Sequence, residues 1–367
     1  MSALKKCWSV GWRVGFCLLL LLWIFHSIFM NEGKLAAQNR GLDWSRMDRA
    51  QQFSLAWSHG PKDLWHTLRL VHPAALLGSL LLAGLALFLC VVRWRIVLEA
   101  QGLDLPLGRA TRISFVAQFF NSFLLGSTGG DLIKAYYAAR ETHHKKTEAV
   151  TTVFVDRLVG LWAMLLFAGV MMIPNYGLLR VSPNVGVPSL LILAMFGGVS
   201  VVLGLAFWGG VSKGFPRARE YLRRLPKGAV LERALDSCRQ FGKQKSFLLK
   251  TVALSLLVNV ICVAQIMVVG AGLDLSLQPG PLCVIVPVIL CISALPITPN
   301  GLGVRENLYV LMLAAIQVPK TAALSVSLIA SAQGLFWSLL GGLIYLGLRE
   351  REHLGEVTQS DAVAMEN

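Results

Sequence analysis

Charged residues are scarce in this sequence, and their scarcity argues against a soluble fold. Of its 367 residues, 15% are charged and 55% are hydrophobic, and the mean hydropathy is +0.62. The two longest polar stretches, residues 31–72 and 210–250, are each too short to enclose an independent hydrophobic core. Repeated apolar runs of spanning length predict an all-α, polytopic membrane protein. We expect one membrane domain over residues 1–348 and a polar, disordered cytoplasmic tail over residues 349–367.

Sequence signatures of enzymes and of metal sites are also missing. There is no GxSxG, HExxH or P-loop motif, and the seven cysteines form no CxxC pair. We therefore expect no cofactor, no bound metal and no enzymatic activity, although a protein that modifies a lipid inside the membrane stays an alternative. The formal charge of +14 does not indicate a nucleic-acid partner, because the basic residues lie in loops between apolar runs.

The placement of these basic loops predicts the orientation of the chain. Residues 210–250 form the most basic segment, which the positive-inside rule assigns to the cytoplasm. The N-terminal apolar run lacks a cleavage site of small residues, so it is predicted to be a first transmembrane helix rather than a signal peptide. Both termini are then cytoplasmic. Six full spans are predicted, at residues 14–30, 73–92, 151–173, 189–208, 247–269 and 322–348.

Two further apolar segments are too short to cross a bilayer and are interrupted by helix-breaking residues. The first runs over residues 113–125 and restarts at 131–140, and the second runs over 282–295 and restarts at 308–316. Non-helical backbone survives at membrane depth only where protein or a water-filled cavity satisfies it. We predict two re-entrant hairpins of opposite orientation. If the hairpins were counted as spans, the number of transmembrane spans would rise from six to between eight and ten. The expected turn residues are Gly126, Gly129, Gly130, Pro296, Pro299, Gly301 and Gly303.

The two breaks resemble each other in sequence, NSFLLGSTGGDLIK in one and LPITPNGLGVRE in the other. Discontinuous helices at corresponding places in two inverted halves mark the substrate site of many transporters. Each restarting helix offers free N–H groups and a partial positive charge, and Lys134 and Arg305 lie near these starts. This pattern predicts a site for a phosphate or another anionic group. The candidate substrate-binding residues are Asn121, Asp131, Lys134, Asp156, Arg157, Thr298, Arg305 and Glu306.

Simpler roles for these residues stay open at this point. Asp131 could be only the N-terminal cap of its helix, and Asp156 with Arg157 could be an ordinary ion pair at the cytoplasmic edge. The glycines could serve close helix packing alone. Arg305 and Glu306 are harder to explain in this way, because apolar sequence flanks them on both sides.

At these motifs the chain resembles the flippase-like transmembrane domain of lysylphosphatidylglycerol synthases. The first family motif is matched from Asn121 to Tyr137, with Leu125 in place of a proline and Lys134 in place of an arginine. A second motif is similar at Asp156-Arg157. The closing motif, L-P-x-x-x-x-G-L-G-x-R-E, is present in full from Leu295 to Glu306, and a Gly-Gly pair follows in the last helix.

The resemblance covers about residues 73–348 and implies movement of a lipid or lipid-linked intermediate between leaflets. It implies the membrane part alone, without the aminoacyl-transfer domain of the synthases. We therefore expect an inner-membrane translocase for an anionic phospholipid or lipid-linked molecule. One alternative is a non-transporting scaffold whose basic loop, residues 210–250, docks a separate cytoplasmic enzyme. The other alternative is a protein that modifies a lipid chemically inside the membrane.

Overall fold

The computed structural model describes residues 43–123, 129–141, 146–208, 245–295 and 303–365, together with short pieces between residues 22 and 37 and Gly301. Within these ranges the chain is helical and contains no strand. Eleven helices are labelled here in chain order. They are α1 (Arg49–Arg69), α2 (Pro73–Ala100), α3 (Leu107–Phe123), α4 (Gly129–Glu141), α5 (Lys146–Met172), α6 (Tyr176–Val181), α7 (Pro183–Trp208), α8 (Lys245–Gly272), α9 (Pro279–Ser293), α10 (Val304–Leu313) and α11 (Lys320–Met365).

Five of these helices contain segments long and apolar enough to cross a membrane, and they belong to α2, α5, α7, α8 and α11. They match the last five of the six predicted spans. The first predicted span, residues 14–30, lies almost wholly outside the described residues. Large apolar side chains stay exposed along the outer faces of these helices, for example Leu77, Leu81 and Leu85 on α2. An exposed apolar stripe of this kind is the surface that a lipid bilayer covers.

Each predicted break separates two helices in the structure. Helices α3 and α4 flank the first break and pack against each other, and α9 and α10 do the same at the second. The boundaries differ slightly from the prediction: α4 begins at Gly129, two residues early, and α10 begins at Val304, four residues early.

The main hydrophobic core surrounds α9. Eight of its 15 residues are buried, and its neighbours are α5, α8 and α10. The core includes Leu165 and Ile192 from α5 and α7, Ile266 from α8 and Met312 from α10. A helix that is apolar on all sides fits the centre of a bundle, where no face meets water. The core of the described residues is therefore centred on α9.

Two segments differ from the prediction. Helix α2 continues through Arg93 to Ala100, so Arg93 is buried in the bundle instead of marking the cytoplasmic end of the span. Helix α11 runs on to Met365, so the backbone after residue 348 is helical where the polar composition predicted disorder. In both places a continuous helical pattern overrides a local compositional signal.

Candidate functional site

A charged cavity of about 170 Å³ lies where α2, α3, α4 and α5 meet. Its wall brings together two predicted carboxylates, Asp131 and Asp156, and two predicted cations, Lys134 and Arg157. Arg93 joins them from α2. Charged groups at such depth in a membrane protein pair with one another and mark functional sites. The cavity is therefore the first candidate site.

Asp156 is the centre of a buried ionic cluster within this cavity. Arg93 donates from Nε to Asp156 Oδ1 at 2.8 Å and from Nη1 to Ser255 Oγ at 3.0 Å. The Lys134 ammonium lies 3.7 Å from Asp156 Oδ2 and 4.1 Å from the centre of the Trp94 ring. The side chains of Asp156 and Lys134 are only 9% and 12% exposed. One carboxylate thus faces two cations, and the cluster ties α2, α4, α5 and α8 together.

Asp131 makes a separate ion pair at the more open side of the cavity. Its Oδ2 accepts from Arg157 Nε at 2.6 Å, and the Arg157 side chain is 47% exposed. Asp131 is the third residue of α4, and a carboxylate in the first turn also interacts favourably with the helix dipole. Neither simple role weighed for these residues describes them fully: Asp131 pairs with Arg157, and Asp156 pairs with Arg93.

The first break is closed by a contact between Asn121 and Gly130. Asn121 Oδ1 accepts a hydrogen bond from Gly130 N at 2.8 Å, so the end of α3 satisfies an N–H at the start of α4. A Cβ on Gly130 would lie 1.9 Å from the Ala117 carbonyl oxygen, which leaves no space for any other residue. Gly130 therefore serves close packing, as one of the alternatives held, and it lies next to Asn121 and Asp131, which line the cavity. Gly129 begins α4 one residue earlier.

The second break depends on glycine for its backbone conformation. Gly301 and Gly303 have φ values of 70° and 82°, which other residues rarely adopt. Glu306 then accepts from Gly303 N at 2.6 Å through Oε2, and from Ser331 Oγ at 3.1 Å through Oε1. Its side chain is only 1% exposed. Glu306 thus fixes the start of α10 and joins it to α11, so it acts as a structural cap at this position.

Arg305 faces a second cavity, of about 240 Å³ and mostly apolar. Its Nη2 donates to Ser331 Oγ, and its Nε lies 3.6 Å from Glu306 Oε1. The side chains of Gln265 and Arg305 line the cavity among Val286, Tyr309 and Trp337. Hydrogen bonds join Gln265 to two other helices: Gln265 Nε2 donates to Gln333 Oε1 at 2.7 Å, and Gln333 Nε2 donates to Ser79 Oγ at 2.6 Å. Among the described lining residues, Arg305 is the single charged group in a mostly apolar wall.

The two cavities adjoin each other. Leu87, Cys90 and Gln118 line both of them. The charged cavity holds the residues of the first break, and the apolar cavity holds Arg305 of the second. The fold therefore brings the two related motifs to neighbouring cavities, although Lys134 and Arg305 are 171 positions apart in the chain.

Of the predicted site residues, the structure groups Asn121, Asp131, Lys134, Asp156 and Arg157 around one cavity and places Arg305 at the other. Glu306 is buried beside Arg305 and lines neither cavity. Lys134 lies in the second turn of α4, near the helix start as expected. Four predicted residues fall outside the described residues and are not assessed: Gly126, Pro296, Thr298 and Pro299.

The sequence did not identify Arg93, Ser255 or Ser331 as parts of these sites. Arg93 looked like one of several basic residues at the end of a span. One signal could have pointed to it: Asp156 lies within an apolar segment, and a carboxylate buried there needs a cation from another helix. Nothing local marks the two serines.

Together these features define a class of protein. It is a multi-pass, all-α membrane protein in which two related helix pairs, each interrupted by a break, lie beside two adjoining cavities. The sequence model of the lysylphosphatidylglycerol synthase TM region matches residues 52–342. The chain therefore belongs to that family, as its motifs predicted. A comparison with curated proteins finds no match.

Proposed function

We propose that this protein moves a lipid bearing an anionic group between the two leaflets of the membrane without chemically altering it. One observation carries the proposal: each broken helix contributes a largely buried cation to an internal cavity, and the two cavities adjoin. A buried cation close to the N-terminus of a helix favours the binding of an anion such as phosphate. The apolar cavity offers a neighbouring surface for hydrocarbon.

The lengths of the broken helices support a re-entrant arrangement. Helices α9 and α10 contain 15 and 10 residues, which span about 22 Å and 15 Å at 1.5 Å per residue. The hydrocarbon core of a bilayer is about 30 Å thick, so neither helix crosses it alone. We propose that both breaks lie at membrane depth inside the protein, with α3–α4 entering from the cytoplasmic side and α9–α10 from the opposite side.

The same proposal includes the cellular setting. We place the protein in the inner membrane with both termini in the cytoplasm, on the basis of the basic loops in the sequence. The lipid would present its phosphate to Lys134, Arg157 and Arg305 in the course of movement. Asp131 and Asp156 would hold these cations in place, and Glu306 would hold the α10 start that carries Arg305.

The test is leaflet-resolved lipid movement in sealed vesicles that contain the purified full-length protein. We expect the wild-type protein to move an acyl-chain-labelled anionic lipid, and Arg305→Ala to lose this movement. Arg180→Ala is the matched control, because Arg180 is an exposed arginine in α6. Unchanged movement in Arg305→Ala, at normal abundance and with a monodisperse elution profile, would overturn the site assignment.

The same preparation separates the proposal from its two alternatives. A lipid-modifying protein would yield a new lipid species by mass spectrometry when incubated with membrane lipids. A scaffold would move no lipid, and charge reversal in residues 210–250 would impair its cellular role more than Arg305→Ala does. Movement of lipid with no new lipid species is the outcome expected for a translocase.

A further inference from the structure

We propose that the charged cavity selects a phosphodiester with one net negative charge, and that Lys134 is the residue that contacts it. The inference rests on the proposed function only in taking the bound molecule to be a lipid. It narrows the substrate class, because it favours phospholipids with a single charged phosphodiester over lipid-linked diphosphates.

The charged side chains that line the cavity do not cancel. Among the described residues they are three cations, Arg93, Lys134 and Arg157, and two carboxylates, Asp131 and Asp156. The cavity wall therefore carries one surplus positive charge. The chain between α3 and α4, residues 124–128, contains no charged residue and does not alter this balance. The Arg305–Glu306 pair beside the second cavity is neutral as a whole.

The contacts assign the surplus charge to Lys134. Asp131 Oδ2 pairs with Arg157 Nε at 2.6 Å. Arg93 donates hydrogen bonds to Asp156 Oδ1 at 2.8 Å and to Ser255 Oγ at 3.0 Å, so its guanidinium already has two protein acceptors. The Lys134 ammonium lies 3.7 Å from Asp156 Oδ2, beyond hydrogen-bond distance, and makes no hydrogen bond among the described residues. Its N–H donors are therefore available to a ligand.

Burial makes this surplus charge costly without a ligand. The Lys134 side chain is 12% exposed, and its other close neighbour is the face of the fully buried Trp94. A cation removed from water needs a counter-charge and hydrogen-bond acceptors to offset its lost hydration. A phosphodiester supplies one negative charge and two unesterified oxygens. Lysine binds such a group as a point charge, without the forked geometry of arginine.

The same balance disfavours two other head groups. A diphosphate brings two or more negative charges close to Asp131 and Asp156, and the excess charge would be repelled in a space of about 170 Å³. A zwitterionic head group brings its own cation and leaves the Lys134 charge without a net partner. Removing the Asp131 carboxylate would raise the positive charge of the cavity wall with little disturbance of the fold, because its partner Arg157 is half exposed to solvent.

The test measures binding, so that it does not depend on transport. The purified full-length protein in detergent is mixed with equal amounts of three lipids that have identical dioleoyl chains: phosphatidylglycerol, phosphatidylcholine and diacylglycerol pyrophosphate. Native mass spectrometry then counts the retained lipids. We expect a preference for phosphatidylglycerol of roughly tenfold, which corresponds to about 1.4 kcal/mol. Soluble glycerophosphoglycerol in a parallel sample shows whether the chains are needed: equal retention would identify a soluble phosphodiester as the ligand.

Variants connect the preference to the charge balance. Lys134→Gln should lose the preference for phosphatidylglycerol, whereas Lys134→Arg should keep it. Asp131→Asn should shift retention toward the pyrophosphate lipid. Arg109→Gln is the control, because Arg109 pairs with Glu141 on the surface and its loss changes the total charge equally. Equal retention of the three lipids by the wild type, or no shift in Asp131→Asn, would overturn the inference.

The binding result stands apart from the proposed function. Selective binding without lipid movement in vesicles would refute the translocase and support the charge-selective site. Lipid movement in vesicles without charge-selective binding would support the translocase and refute the charge-selective site.

Discussion

Arg93 and Asp156 form a buried ion pair between α2 and α5, with 2.8 Å between Nε and Oδ1. Their positions differ by 63 in the sequence, and Ser255 of α8 completes the arginine coordination. The pair therefore fixes three helices around the charged cavity. Gly160 lies against the guanidinium, where a Cβ would come within 2.6 Å of Nη1. This arrangement allows Lys134 to approach Asp156 from α4 on the other carboxylate oxygen.

Removal of Arg93 should destabilise the protein substantially. We expect Arg93→Ala to cost about 3 kcal/mol, because Asp156 and Ser255 lose their buried partner, although Lys134 still faces Asp156. Arg95→Ala is the control: Arg95 forms a partly exposed pair with Glu99 at 3.0 Å, and such a pair contributes about 0.5 kcal/mol. Thermal unfolding in detergent measures both. Equal melting temperatures for the two variants would contradict the assigned role of the pair.

A side chain at Gly130 should separate α3 from α4. In Gly130→Ala the added Cβ would meet the Ala117 carbonyl oxygen at 1.9 Å and Asn121 Cγ at 2.6 Å, so the helices must move apart. We expect a loss of thermal stability and of lipid binding. Gly108→Ala is a closely matched control, since Gly108 is also the second residue of its helix and has open space at the Cβ position. If both variants behave alike, the close approach at Gly130 is unimportant.

Loss of the Glu306 carboxylate should disturb the start of α10. Glu306→Ala leaves the N–H of Gly303 without its acceptor, whereas the Ser331 hydroxyl still has the Ser327 carbonyl oxygen at 2.7 Å, and we expect a cost of about 2 kcal/mol. Glu306→Gln keeps one acceptor oxygen and should lose less. Glu99→Ala removes an exposed carboxylate and serves as the control. The order of melting temperatures should be Glu99→Ala, then Glu306→Gln, then Glu306→Ala; any reversal of the last two would argue against the cap.

Native cysteines provide a probe of the cavities. Cys90 lines both of them, whereas Cys291 is fully buried within α9. A protein that retains Cys90 alone should react with charged methanethiosulfonates, and one that retains Cys291 alone should not. The anionic reagent should react faster than the cationic one, because the wall of the charged cavity has a surplus positive charge. Asp131→Asn in the Cys90-only protein should widen this difference; a faster cationic reagent would contradict the charge balance.

Much of the architecture could be predicted from the sequence, because it depends on local properties. Apolar runs of spanning length predicted five helices that the structure contains. The glycine-rich interruptions before Asp131 and Arg305 predicted both breaks, since glycine and proline disfavour helix at the residues where they occur. The motifs also predicted the family. These signals need only neighbouring residues, and no knowledge of how the helices pack.

The partners of the charged residues were decided by tertiary structure. Sequence reasoning joined Asp156 to Arg157, whereas the fold pairs Asp156 with Arg93 and Lys134, and Arg157 with Asp131. Glu306 was predicted only as a substrate-binding residue, and the structure shows that it also fixes the start of α10. Hydropathy shows that a buried charge needs a partner, but helix packing determines which side chain reaches it, because the energy of an ion pair depends on distance and burial. The adjoining cavities arise in the same way, from contacts between helices far apart in the chain.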